Sequence, residues 1–263
     1  MDRPAQLPLD SGVHRVPERI VCLSAESADW LWRIGAWDRV VGVTGFFQQP
    51  ANTPPKPRVS GFSTARVQEM VELAPDLVIT FSDVQACIAA DLIKAGLPVL
   101  ATNQRTLAEI EATLRMLGRA VGCEAASERL LDEFRAALAA VPRSGPRPRV
   151  YFEEWNEPLI SGIAWVSELI ERAGGRDIFA HLQSMRAASE RVVTSEQIVA
   201  ADPEIIFASW CGKPVRLPDL AGREGWSRVS AVTRGAIHEI PSEDILVPGF
   251  PLVQGFKRLQ EAL

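Results

Sequence analysis

Glu153, Glu154 and Glu157 stand in one short run, and paired carboxylates can divide the acid and base roles of a proton-transfer site. Alternation along an extended segment sends Glu153 and Glu154 to opposite faces, and neither a nucleophile nor a metal set adjoins them. Contact with a ligand's polar groups, or plain solvation, is the expected use of this run. GxSxG, GxGxxG, HExxH and P-loop patterns do not occur. Cys22, Cys87, Cys123 and Cys211 form no CxxC pair, so buried or free thiols are expected, their redox state left open. His14, His181 and His238 are scattered, without zinc or haem spacing. Aromatic residues carry the stronger signal. Phe46, Phe47, Phe81, Trp155, Trp210 and Phe250 fall where strands are expected to end, with Phe62 and Trp165 close by in sequence. A cleft lined by such rings suits a large, flat or partly apolar ligand, with core packing the competing use of each ring.

The elements that must position those residues repeat. VQEMVELAPDLVITFS, from residue 67, and SEQIVAADPEIIFASW, from residue 195, align with Pro75 on Pro203. Each joins an amphipathic stretch, an Ala/Asp-Pro-acid turn and an apolar run, which is a helix feeding a buried strand. IGAWDRVV and AGGRDIF form a second echo, matching Asp38 to Asp177. Strands are predicted at 20–23, 39–44, 77–81 and 98–101, then at 149–155, 205–209 and 236–240, with helices between them. Between the two sets, residues 106–141 have helical spacing of Leu107, Ile110, Leu114 and Leu117, then of Leu130, Leu131, Phe134 and Leu138. One long helix or two abutting ones would satisfy it, with the break between Gly118 and Gly122. The fold class expected is α/β: two lobes with parallel sheets (1–104 and 146–263), joined by a long helical backbone (105–145), with a ligand cleft between the lobes. A helical spine favours small opening over wide hinging. Ligands of open parallel sheets gather at the carboxyl ends of strands, here 24–27, 44–49, 81–83, 154–157, 209–212 and 242–250.

At 263 residues, 47% apolar and 23% charged, the chain can bury two cores of ordinary size. A net charge of −5 argues against a nucleic-acid surface. No apolar stretch reaches the ~20 residues that span a bilayer. The first twenty residues lack the apolar centre of a secretory leader, so the expected location is cytoplasmic, or periplasmic or lipid-anchored if a leader has been removed. A monomer is expected.

RIVCLSAESADWLWRIGAWDRVVGVT, LAPDLVIT, EEWNEPLISGIAWVSELIERAGG and AADPEIIFASWCG, together with the helical middle, resemble the helical-backbone periplasmic binding proteins. Those proteins serve ABC importers of cobalamin, ferric siderophores and haem. The resemblance covers 19–263, and EEWNEPLISGIAW, Cys211-Gly212 and VPGFPLV are most similar to the cobalamin-binding branch. It implies two Rossmann-like lobes with a corrinoid lying edge-on among aromatic side chains. The family's ligand loops fall on 44–49, Phe62, Phe81, Trp155 and 244–250. Phe46-Phe47-Gln48-Gln49 stands where the family has tyrosine or an acidic-aromatic mixture. Val247-Pro248-Gly249-Phe250-Pro251 stands where it has Arg-Pro-Gly-Pro-Arg, so two positive charges are absent and a less polar or smaller corrinoid-like ligand is allowed. Relatives place one glutamate on each lobe to meet permease arginines. Glu196 matches one of these positions, and neutral Gln68 stands at the other.

The reading is a non-catalytic binding protein for a bulky small molecule, cobalamin or a related corrinoid, needing no cofactor of its own. Phe46, Phe47, Gln48, Phe62, Phe81, Trp155, Trp165, Trp210 and Phe250 are its candidate ligand residues. A ferric-siderophore or haem binder is the alternative within the same class, although haem would recruit a Tyr or His ligand. A tetrapyrrole metal chelatase is the alternative from another class, and it requires His181 or His238 within reach of Glu154 or Glu157.

Overall fold

The computed structural model describes residues 16–140 and 145–263. His14, residues 1–15 of the stretch read for a leader, and 141–144 at the Pro-rich junction lie outside the described residues. The first sheet is built from β1 (Ile20–Cys22), β2 (Val40–Thr44), β3 (Arg58–Ser60), β4 (Leu77–Phe81) and β5 (Val99–Thr102). Its order is β3-β2-β1-β4-β5, all parallel. Helices α1 (Ala25–Arg33), α2 (Val67–Glu72) and α3 (Ala86–Lys94) make its crossovers. β3 is a strand that the Pro-rich loop conceals in the sequence.

The middle segment forms α4 (Leu107–Ala120) and α5 (Glu124–Ala137). The two fold back on each other, with Arg115 to Glu128 at 2.6 Å and Arg135 to Glu111 at 2.7 Å across the seam. This is the two-helix arrangement, and no single long spine forms. Gly122, at φ +65°, supplies the turn, and Gly118 lets the helices close: a Cβ there would sit 2.3 Å from the Ser127 Cβ.

The second lobe comprises β6 (Arg149–Asn156), β7 (Leu159–Ser161), α6 (Ala164–Arg172), β8 (Arg176–Asp177), α7 (Ser195–Ala201) and β9 (Ile205–Ala208). It continues through α8 (Leu217–Ala221), α9 (Ser230–Thr233), β10 (Ile237–Glu239), α10 (Ser242–Ile245) and α11 (Leu252–Ala262). The sheet runs β10-β9-β6-β7, with β8 also beside β6. β8, β6, β9 and β10 are parallel and repeat the β2-β1-β4-β5 order of the first lobe. Here the expectation of two parallel sheets needs correction. β7 is antiparallel to β6 because Glu157 and Pro158 reverse the chain into a hairpin.

The repeated turn works identically in both lobes. Ala74 and Asp202 adopt left-handed backbone angles, φ 45° and 46°, just before Pro75 and Pro203. The acid after each proline then receives backbone N–H groups at the head of the neighbouring strand. Glu18 and Arg19 donate to Asp76 at 2.8 Å, and Arg149 donates to Glu204 at 3.0 Å. A guanidinium closes each turn carbonyl, from Arg19 to Leu73 O at 2.7 Å and from Arg149 to Asp202 O at 2.7 Å. Each αβ unit is thereby anchored to the central strand of its sheet.

One hydrophobic core runs through both lobes, uniting Ile20 and Trp30 with Leu114, Phe134, Phe152, Phe207 and Phe256. Smaller cores lie on the far faces, around Val59 and Met70 in the first lobe and around Tyr151 and Trp226 in the second. Polar stitches join the middle segment to α6: Trp165 N–H donates to Arg105 O at 3.0 Å, and Leu107 N–H to the Glu168 carboxylate at 2.8 Å.

Candidate ligand-binding cleft

Carboxyl ends of strands from both sheets open into one cleft of about 670 Å³ between the lobes, within the roughly 300–1,000 Å³ usual for small-molecule sites. The first lobe contributes Phe46, Gln48, Phe62 and Phe81, carried by the ends of β2, β3 and β4. The second contributes 211–214 after β9 and 239–248 around β10 and α10, within which Leu246, Val247 and Pro248 are apolar. Phe46 and Phe62 stand 49% and 44% exposed at the mouth, edge to face with ring centroids 6.2 Å apart. Large exposed rings beside a concavity mark a surface that binds something. Gln48 Nε2 reaches across the mouth to Glu243 Oε1 at 3.2 Å. A neighbouring recess of about 380 Å³ shares Phe46, Gln48 and Glu243 with the cleft.

The remaining aromatic candidates lie elsewhere. Phe47 lines the recess but is almost fully buried, its ring 5.6 Å from that of Trp37. Phe250 also lines the recess, beneath the Arg33 guanidinium at 4.3 Å. Trp165 is core, its Nε1 donating to Ile245 O at 2.9 Å. Trp210 is core, donating to Glu153 at 3.0 Å. Trp155 lies off the cleft because β6 runs on into the β7 hairpin, and its Nε1 donates to Glu157 O at 2.9 Å. The 154–157 strand end therefore contributes nothing to the cleft wall.

Three polar residues of the cleft escaped the sequence reading. Gln85, 3% exposed, accepts from Phe81 N–H at 2.9 Å and donates to Leu23 O at 2.9 Å and Phe62 O at 3.1 Å. One amide thereby ties down the backbone that carries two cleft-lining rings. Glu26 lies in the first turn of α1, and burial pushes its carboxyl up to about 7. Ser24, its own backbone N–H and the Gln104 amide, 3.5 Å away, oppose that rise in part. Lys213 is the one cation among the cleft-lining residues, against the acids Glu26, Glu239 and Glu243. Its ammonium lies 4.2 Å from the ring centre of Trp155 and 5.1 Å from that of Trp210. A cleft of this balance suits amides, cations or at most one anionic group. Cys211 also lines it, and Cys22, Cys87, Cys123 and Cys211 are all free thiols.

Glu153 and Glu154 do fall on opposite faces of β6, and both serve buried ion pairs. Glu153 is fully buried and receives Arg223 at 2.9 Å, the Trp210 indole, and the Tyr151 hydroxyl at 3.3 Å. Glu154 receives both terminal nitrogens of buried Arg191, at 2.7 and 3.0 Å. Such pairs are structural: removing one member strands a buried charge. His181 packs on Phe179 and His238 on Phe207, and neither lines the cleft. Among the described residues, no group of three His, Cys, Asp or Glu side chains forms a metal set, and no helix is long and apolar enough to cross a membrane. On the outer surface, Glu196 of α7 and Gln68 of α2 are both exposed at equivalent places in the repeat.

Residues 20–243 match the periplasmic binding protein family. The chain is 31% identical over 198 residues to a cobalamin-binding protein of Halobacterium salinarum, covering 72% of this chain and 53% of that one, so it spans about half the length of this relative. In structure it is similar to the periplasmic vitamin B12-binding protein of Vibrio cholerae, with a TM-score of 0.71, 20% identity, and coverage of 94% and 96% of the two chains. It is also similar to a periplasmic heme-binding protein of Roseiflexus sp. RS-1, with a TM-score of 0.79, 22% identity, and coverage of 93% and 97%. At these identities the structural likenesses establish the two-lobed fold alone. The family match extends across both lobes and the cleft between them: this chain belongs to the periplasmic binding protein family.

Proposed function

We propose that the chain is a non-catalytic carrier of a bulky corrinoid, cobalamin or a close relative, held between its lobes. The observation that carries this reading is the interlobe cleft, with Phe46, Phe62 and Phe81 facing an apolar 246–248 segment. Flat macrocycles bury apolar faces against such rings while their edges exchange hydrogen bonds with the walls. The name of the Halobacterium relative supports the same ligand class. The acidic balance of the walls favours an amide-bearing ring over one bearing two carboxylates, as haem does. The sole tyrosine, Tyr151, is fully buried and hydrogen-bonded to Glu153, so it is not placed to ligate a haem iron. A chelatase reading loses its premise because neither His181 nor His238 lines the cleft. Protein purified from its own host is expected to carry a corrinoid, recognised by visible absorbance and mass spectrometry. A haem or ferric siderophore at stoichiometric occupancy would refute the assignment.

An ABC permease is the proposed partner, contacted through exposed Glu196, with Gln68 offering a neutral second contact. Rim charges of this kind act mainly on encounter and orientation. With the cognate permease in proteoliposomes, Glu196→Gln is expected to raise the concentration of this chain needed to stimulate ATP hydrolysis and Gln68→Glu to lower it. Unchanged stimulation in both variants removes the contact.

A further inference from the structure

Beyond the cleft wall lies a second cavity of about 490 Å³, lined by Asn156, Trp210, Lys213, Pro214, Arg216, Asp219 and Arg223. Lys213 and Pro214 line both cavities and form the partition between them. Two of its three cations already have counter-ions: Arg216 pairs with Asp219 at 3.1 Å, and Arg223 with Glu153. Lys213 has only the two indole faces of Trp155 and Trp210 in place of a carboxylate among the described residues. Cation–π contact holds an exposed ammonium less tightly than an ion pair would, so this charge can turn towards an anion. On the other side of the partition, Glu239 and Glu243 make the main cleft unfavourable for an anion.

We infer that the outer cavity is a second subsite, taking a single anionic arm of the ligand, with Lys213 as the residue that selects for it. This rests on the corrinoid reading and narrows it: the ligand is a complete corrinoid whose nucleotide arm carries a phosphodiester. The ring lies among Phe46, Phe62 and Phe81, and the phosphodiester meets the Lys213 ammonium at the partition. No covalent step is involved.

Equilibrium dialysis of the full chain with cyanocobalamin, which has the phosphodiester arm, and with cobinamide, which lacks it, tests the assignment. Lys213→Met keeps the aliphatic stem and removes the charge. It is expected to weaken cobalamin about tenfold, the value of one charge-assisted hydrogen bond, and to leave cobinamide within about twofold. Lys213→Arg is expected to retain the preference for cobalamin. Equal weakening of both probes, or of neither, overturns the subsite, while cobinamide binding by the variant reports that its cleft is intact. If the unmodified chain binds neither probe, the corrinoid reading itself fails and the subsite with it.

Discussion

Glu26 shows how a single side chain couples the cleft to its own stability. Its carboxyl, 4% exposed and raised by burial from 4.5 to about 7, holds its proton more tightly folded than unfolded. Its contribution is therefore complete below the unfolded value and is lost as pH rises through the folded one. Relative to Glu26→Gln, the unmodified chain is expected to lose stability between about pH 5 and about pH 8, on the order of 3 kcal/mol. Urea unfolding of both proteins across that range checks it, and parallel curves would contradict it. Phe46 and Phe81 line the cleft at strand ends that the sequence showed, whereas Phe62 follows β3, a strand that it did not show. Gln85, Glu26 and Lys213 were not legible in it, because their roles depend on partners that the sequence does not pair with them: Leu23 and Phe62 for Gln85, Gln104 for Glu26, and two indoles for Lys213. Trp210 was expected at a strand end and does not line the main cleft, since position at a strand end says nothing of which way an indole turns.

Among the elements, the α4–α5 hairpin has a geometry that rests on a missing atom. Gly118→Ala would put a methyl 2.3 Å from the Ser127 Cβ, which is tied directly to the backbone and cannot swing away. The helices must separate, and a loss of about 1–3 kcal/mol is expected in chemical denaturation. A variant as stable as the parent would contradict a seam closed by Gly118. Of the positions that helical spacing in 106–141 marked, Leu107, Ile110, Leu114, Leu117, Leu131, Phe134 and Leu138 are buried and Leu130 is half-buried. It could not choose between one helix and two, because an antiparallel hairpin and a straight rod bury the same residue pattern. The two αβ units were readable for a physical reason: their Ala/Asp-Pro-acid turns carry the same backbone angle and the same carboxylate clasp. β3 and β7 were missed since a three-residue strand beside prolines has too few residues to show alternation.

For the whole molecule, the shared core matters more than the division into lobes. β1, α4, α5, β6 and α11 contribute to one continuous hydrophobic interior, so neither sheet can open far without exposing it. Both lobes are expected to unfold together, with tryptophan fluorescence and far-ultraviolet dichroism giving coincident denaturation curves; two separated transitions would contradict a common core. The same rigidity makes the cleft a largely pre-formed site, entered by adjusting the Gln48–Glu243 contact at its mouth. The central claim is that this site takes a corrinoid. Equilibrium dialysis of the purified chain against cobalamin, haem and a ferric siderophore tests it most directly. Saturable one-to-one binding of cobalamin, lost when Phe46 and Phe62 are both replaced by alanine, is the result expected. Tighter binding of haem or siderophore than of cobalamin, or cobalamin binding indifferent to those two rings, is the result that contradicts it.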